Sequence, residues 1–220
     1  MNFEHLLATR THIMEVSVIR EILKVVSQPG MVSLAGGIPS PNSFPMDRMR
    51  ELTERVMGKY ESNAFQYDLT EGFIPLRETL VDYFRQKQII ASIDDITIQS
   101  GSQGALDAIG KVLISPGDKV AVEAPTYLAA IQAFRSYEAE FVRMDMDDDG
   151  LIPESLEDVL RTEQVKFVYT VPTFQNPTGR SVTLERRKQK NGWLLSSKGL
   201  TCTPALSVRR SLRNTFLVVT

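Results

Sequence analysis

Beyond residue 95 the chain alternates between short apolar runs and longer segments of helical periodicity, and this alternation limits the possible folds most. Four apolar runs predict strands, over residues 96–99, 119–123, 140–144 and 166–171. The segments after them predict helices, at about residues 103–114, 126–136, 153–161 and 183–190. This spacing indicates an α/β fold, with a mostly parallel sheet and helices on both faces.

The chain upstream of this alternation predicts an arm and then the first helices of a domain. Residues 16–26, 47–60 and 75–87 have helical periodicity, and Pro75 suits a first helical turn. A Gly- and Pro-rich stretch over residues 36–41 follows the first of them. We therefore predict three regions: an N-terminal arm at 1–45, a partial large domain at 46–188 and a tail at 189–220.

Composition excludes several classes of function. The net charge of −2 gives no reason to expect a nucleic acid or an anionic membrane as a partner. No apolar run is long enough to span a bilayer, and the charges spread through the first twenty residues do not predict a secretory signal. The single cysteine, Cys202, allows no internal disulfide, which is typical of a reducing compartment. We predict a cytoplasmic protein without a metal site.

In sheets of this kind ligands bind beyond the carboxyl ends of the strands, and the first strand is followed by small residues. Ser100-Gly101-Ser102-Gln103 comes directly before the next predicted helix. The free N–H groups and the dipole of a helix start favour a phosphate, and the Ser102 hydroxyl could add a donor. Ser and Gly also occur at ordinary helix N-caps, so this feature alone is consistent with either interpretation.

Two later strand ends carry an aromatic ring and an amide. Tyr127, in Pro125-Thr126-Tyr127, could stack on a flat ligand, although a tyrosine packed on its neighbours is the alternative. Asn176 precedes a proline, which favours an extended backbone that can direct its amide at a ligand. A plain turn is the alternative there.

Taken in order, these motifs resemble the fold-type I aminotransferases of class I and II. The resemblance runs from about Arg10 to Lys188 and includes three further motifs, Leu34-Ala35-Gly36-Gly37-Ile38-Pro39, Gln66-Tyr67-Asp68-Leu69-Thr70-Glu71-Gly72 and Pro75-Leu76-Arg77-Glu78. The sequence is most similar to the group that contains 2-aminoadipate and kynurenine aminotransferases. The resemblance implies a partial aminotransferase large domain, pyridoxal 5′-phosphate as cofactor, amino acid and 2-oxo acid substrates, and a homodimer.

The resemblance also implies roles for five residues at the cofactor. Ser102 and Gln103 correspond to the positions that hold its phosphate. Tyr127 corresponds to the ring that stacks on the pyridine, and Asn176 to the amide that donates to the phenolic oxygen. Tyr67 corresponds to a tyrosine that reaches the phosphate bound by the partner subunit.

Three further residues are expected at the substrate. The backbone of Gly37 corresponds to the position that meets the substrate carboxylate. Ser17 and Arg20 match a Ser-x-x-Arg motif that helps to choose the substrate side chain. An exposed serine and arginine on a helix are the alternative for this pair.

The chain departs from the family pattern at its tail. The Schiff-base lysine, the aspartate at the pyridine nitrogen and the arginine for the substrate carboxylate have no counterpart, so we expect this chain to be inactive. No acidic residue follows Glu185, whereas roughly five would be expected at the upstream rate. The change falls inside the helix predicted at 183–190, which suggests a reading-frame shift near residues 188–191. The alternatives are a non-catalytic or regulatory cofactor-binding domain, and an unstable pseudogene product.

If a frameshift produced the tail, one shifted frame across codons 180–300 of the gene continues the family pattern. Residues 209–214 can be encoded so that reading one base later gives Glu-Asp-Pro-Tyr-Gly, the expected aspartate motif. Sequencing the gene checks this prediction. Three frames that all lack the pattern would contradict it.

Overall fold

The structure, a computed structural model, describes residues 3–13, 39–86, 89–189, 201–202, 205–206 and 217–219. The chain divides into two compact units, residues 15–69 and residues 1–14 with 70–220. The helix predicted at 16–26 lies outside the described residues.

The smaller unit is helical in its described part. Helix α1, Met46–Tyr60, lies between two 3-10 turns, Pro41–Ser43 and Glu61–Phe65. The helix predicted at 47–60 is therefore confirmed. No residue of α1 is buried, and its ion pairs are exposed, so they contribute little to stability.

The larger unit follows the predicted alternation of strands and helices. Its upstream elements are the 3-10 turns Glu4–Leu6, Thr9–His12 and Ile93–Asp95, helix α2 Ile74–Gln86, strand β1 Thr97–Ile98, helix α3 Gly101–Leu113 and strand β2 Lys119–Ala124. Next come helix α4 Leu128–Arg135, strands β3 Glu140–Asp147 and β4 Gly150–Leu151, helix α5 Pro153–Thr162, strand β5 Val165–Thr170 and helix α6 Leu184–Gln189. The tail supplies strands β6 Thr201–Cys202, β7 Ala205–Leu206 and β8 Leu217–Val219.

The main sheet has the strand order β4-β3-β2-β5-β8-β6 among the described residues. Strand β2 lies inside it and pairs in parallel with β3 and β5, so Val120 is opposite both Phe141 and Phe167. Strand β4 alone is antiparallel, and it pairs with the end of β3 at Met146. This hairpin explains why β3 extends beyond its predicted end at residue 144. The predicted α/β fold with a mostly parallel sheet is confirmed.

One part of the predicted sheet is wrong. The sequence placed the first strand in the same sheet as the others, but β1 pairs antiparallel with β7 in a separate two-stranded sheet. Only two residues of β1 are in strand conformation, and the N–H of Ile98 donates to the carbonyl of Glu71 at 2.8 Å. Such a short strand forms few ladder hydrogen bonds, so its neighbours rather than its own sequence decide its partner.

Helices cover both faces of the main sheet, as predicted. Alternate residues of β2 point to opposite faces. Val120 and Val122 pack with Leu106 of α3 and Phe134 of α4, in a cluster that also contains Phe167 and Tyr169 of β5. Ala121 belongs to the cluster on the other face, whose buried members are Ala121, Met144, Leu151, Leu156, Val159 and Val168. Within the described part of the chain, no helix has both the length and the apolar composition needed to cross a membrane.

Gly72 holds the chain against β1 in a way that no other residue could. Its φ is +101°, and a Cβ built on it would lie 2.7 Å from the Cβ of Ile98. Both the backbone conformation and the close contact exclude a side chain. Gly117, with φ of +82°, has the same kind of backbone but open space around it.

We expect Gly72→Ala to lower the free energy of unfolding by about 1–3 kcal/mol, because strain and a clash add together. Gly117→Ala, the matched control, adds only the backbone strain of about 1 kcal/mol. Urea unfolding of both variants checks this. Equal losses would show that the contact with Ile98 relaxes without cost.

Candidate functional site

Helix α3 presents an uncapped N-terminus directly after β1. Gly101 opens the helix with φ of +82°, and its N–H donates to the carbonyl of Gln99. The side chain of Ser100 makes no capping hydrogen bond. The N–H groups of Ser102 and Gln103 lie in the first turn, where a helix offers no carbonyl acceptor. This position therefore favours an anion.

The Pro-Thr-Tyr loop, residues 125–127, joins β2 to α4 beside that N-terminus. Gln103 Nε2 donates to the carbonyl oxygen of Ala129 at 3.3 Å, so the first turns of α3 and α4 are in contact. Tyr127 is the N-cap residue of α4, and its partly buried side chain packs against the core. The hydroxyl of Thr126 is buried and has no hydrogen-bond partner in the described part of the chain.

The Asn-Pro loop, residues 171–183, follows β5 and is tied to the Pro-Thr-Tyr loop. The side chain of Gln175 is buried, and its Nε2 donates to the carbonyl oxygen of Pro125 at 2.8 Å. Asn176, the next residue, is exposed. Since β2 and β5 are parallel neighbours, the two loops leave the same edge of the sheet.

A buried carboxylate lies between these two loops. Glu123, near the end of β2, is 1% exposed and accepts hydrogen bonds from the Thr170 hydroxyl, the Val171 N–H at 3.1 Å and Gln175 Nε2 at 3.3 Å. Burial raises the pKa of Glu123, and the three hydrogen bonds oppose that rise. These donors leave the carboxylate oxygens with few free acceptor positions.

The structure brings part of the predicted site together. Loops joined by hydrogen bonds carry four of the predicted cofactor residues, Ser102, Gln103, Tyr127 and Asn176. Tyr67, the fifth, belongs to the smaller unit and is 98% exposed. The three predicted substrate residues, Ser17, Arg20 and Gly37, lie outside the described residues.

Comparison with known protein families identifies the family of this chain. Residues 31–189 match the model of the family "Aminotransferase class I and II". The chain belongs to that family. The resemblance found in the sequence is therefore confirmed.

Individual family members match over most of this chain. An aromatic-amino-acid aminotransferase of Thermococcus litoralis is 46% identical, covering 86% of this chain and 47% of its own length. A 2-aminoadipate transaminase of Thermus thermophilus is 39% identical, covering 80% of this chain and 43% of its own. The crystal structure of Pyrococcus horikoshii kynurenine aminotransferase, solved with PMP, is 45% identical with a TM-score of 0.78, covering 86% of this chain and 48% of that one. The chain thus spans about half the length of these aminotransferases.

Sequence reasoning missed two residues of this site, Glu123 and Gln175. Glu123 ends a predicted strand, where a charged residue is usually solvated, and Gln175 lies among turn-forming residues. Both are buried with hydrogen-bond partners distant in sequence, and the two bond each other across 52 positions. The signal that could have revealed them is their position: each lies within four residues of a predicted cofactor residue.

We expect the contribution of Glu123 to stability to fall as the pH rises. The pKa of the folded carboxyl is above that of the unfolded one, so the folded state binds more protons between the two values. The contribution is complete below the unfolded pKa and declines as the pH rises to the folded pKa. Urea unfolding at several pH values, for the wild type and for Glu123→Gln, measures this. The advantage of the wild type should shrink with rising pH, and an advantage that grows would show that the three hydrogen bonds outweigh burial.

Proposed function

We propose that residues 99–183 form the phosphate- and ring-binding half of a pyridoxal 5′-phosphate site. The uncapped N-terminus of α3, in contact with the first turn of α4, is the observation that carries this proposal. When bound, the cofactor withdraws electrons from the α-carbon of an amino acid. The reaction proposed for the complete enzyme is transfer of an amino group from an amino acid to a 2-oxo acid.

The residues at the α3 N-terminus fit a phosphate group. The N–H groups of Ser102 and Gln103 and the exposed Ser102 hydroxyl supply donors without competing capping bonds. Thr126, one residue before Tyr127, has a buried hydroxyl with no hydrogen-bond partner among the described residues, so this donor is available to a ligand oxygen.

The ring half of the proposed site is formed by the Pro-Thr-Tyr loop and the Asn-Pro loop. Tyr127 would cover one face of the pyridine by stacking, which also keeps water from that face. Asn176 would donate from its amide to the phenolic oxygen and so fix the ring's orientation. Both assignments rest on the family resemblance together with the contact of Gln175 to Pro125.

The remaining proposals concern the complete protein. We propose amino acid and 2-oxo acid substrates, with the backbone of Gly37 at the carboxylate and Ser17 and Arg20 near the side chain. Tyr67 would complete the site of a second subunit in a cytoplasmic homodimer, which is compatible with its full exposure.

We further propose that this chain binds the cofactor but does not transaminate. The family's Schiff-base lysine has no counterpart in the sequence motifs described above. Lys111 and Lys119 do not replace that lysine. Lys111 lies in the last turn of α3, and Lys119 begins β2, whose other end carries the site.

Equilibrium dialysis tests the binding proposal. We expect the chain to bind pyridoxal 5′-phosphate more tightly than unphosphorylated pyridoxal, since the α3 N-terminus recognises the phosphate. Tyr127→Ala should weaken binding of the phosphorylated compound about threefold to tenfold through the lost ring contact. Tyr83→Ala, which removes a tyrosine of α2 outside the proposed site, is the matched control.

Borohydride treatment followed by peptide mass spectrometry tests the proposed inactivity. We expect no single lysine to carry the reduced cofactor stoichiometrically, and no amino transfer between an amino acid and a 2-oxo acid. One stoichiometrically labelled lysine would overturn the proposal of inactivity. Equal binding of pyridoxal and its phosphate would overturn the proposed phosphate site.

A further inference from the structure

The side chain of Gln175 connects the two loops proposed to hold the cofactor ring. Its Nε2 donates to Glu123 Oε2 and to the carbonyl oxygen of Pro125. Its Oε1 accepts from the N–H of Thr178 at 3.0 Å and from the Thr178 hydroxyl at 2.7 Å. Both donor hydrogens and both acceptor positions of the amide are therefore used.

The backbone of Gln175 closes the turn that contains Asn176. Its N–H donates to the carbonyl of Arg180 at 2.7 Å, and its carbonyl accepts from the N–H of Gly179 at 2.5 Å. Asn176 follows directly in the chain. Gln175, the residue before Asn176, is hydrogen-bonded through both its backbone and its side chain. The backbone of Asn176 is therefore held in a fixed position in the loop.

Glu123 extends this hydrogen-bonded group into the sheet. It accepts from Thr170 at the end of β5 and from Val171, the first residue of the Asn-Pro loop. On its own strand it lies two residues before Pro125, where the Pro-Thr-Tyr loop begins. The carboxylate thus joins the ends of β2 and β5 at the point where both loops start.

Stability does not by itself account for this polar group. A buried carboxylate costs free energy unless it is fully bonded, and apolar residues of similar volume are often as stabilising or more so. The surrounding clusters on both faces of the sheet are apolar. Polar groups add control of orientation, because hydrogen bonds depend on the angle between donor and acceptor and apolar contacts do not.

We infer that Gln175 and Glu123 are positioning residues that set Tyr127 and Asn176 relative to each other. The inference rests on the proposed function for the role of those two side chains. It assigns Gln175 and Glu123 no contact with the ligand. It also separates the ring half of the site from the α3 N-terminus, to which neither residue is hydrogen-bonded in the described chain.

Ligand binding by the full 220-residue chain tests this separation. Gln175→Met keeps the side-chain volume and removes the amide. We expect it to weaken pyridoxal 5′-phosphate about tenfold while inorganic phosphate, measured by the same dialysis, changes less than twofold. Val159→Ala, a buried change on the opposite face of the sheet, is the control for lost stability and should leave the ratio of the two affinities unchanged.

A double variant tests the partnership of the two residues. Glu123→Gln combined with Gln175→Glu reverses which side chain carries the charge and preserves a hydrogen bond between them. It should recover part of the pyridoxal 5′-phosphate affinity that either single variant loses. A double variant no better than the worse single variant would show that the two residues do not act together.

Amide hydrogen exchange on the ligand-free chain decides the inference independently of the cofactor. Gln175→Met should accelerate exchange at Val171 and Thr178, whose N–H groups bond to Glu123 and Gln175, and Val159→Ala should not. Unchanged exchange, or equal weakening of both ligands, would overturn the positioning role. Wild-type protein that binds inorganic phosphate as tightly as the cofactor would instead overturn the proposed function, and the exchange result would still stand.

Discussion

Strands β2 and β5 run in the same direction, and Val122 pairs with Tyr169, so the next residues, Glu123 and Thr170, end side by side. Their hydrogen bond fixes where two loops leave the sheet. Leaving a buried carboxylate without such a partner would cost on the order of 1–3 kcal/mol or more. The strand pairing therefore determines the start of each loop, and the buried polar group determines their separation.

Apolar packing in the core positions the third part of the proposed site, the N-terminus of α3. The ring of Phe134 in α4 meets Phe167 edge-on at 5.3 Å and Tyr169 at 5.8 Å. Leu106 of α3 is buried in the same cluster. Because α3 and α4 both pack on this aromatic cluster, their first turns lie close together, as the hydrogen bond from Gln103 to Ala129 indicates. The N-terminal end of α3 is thus held by the core rather than by the preceding strand β1, which lies outside the main sheet.

The fold could be predicted from the sequence, and so could the meeting of the segments that carry four of the predicted cofactor residues, for the same reason. Periodicity identifies strands and helices locally, and a parallel sheet collects the residues that follow its strands at one edge. The burial of Glu123 and Gln175 could not be predicted, because burial of a polar residue depends on a partner distant in sequence. The pairing partner of β1 could not be predicted either, since a strand of two residues contains too little pattern to specify a partner strand.

The hydrogen bonds that connect the first turns of α3 and α4, the ends of β2 and β5 and the Asn-Pro loop are made by residues between 99 and 183. The chain spans about half the length of the relatives that it matches, and the function proposed above assigns the lysine, aspartate and arginine of the family pattern to no residue of the chain. Holding a phosphorylated ring and carrying out amino transfer therefore make separate demands on the sequence. The proposed binding of the ring depends on helix ends and strand-end loops between residues 99 and 183, whereas the amino transfer proposed for the complete enzyme also depends on the lysine, aspartate and arginine of the family pattern.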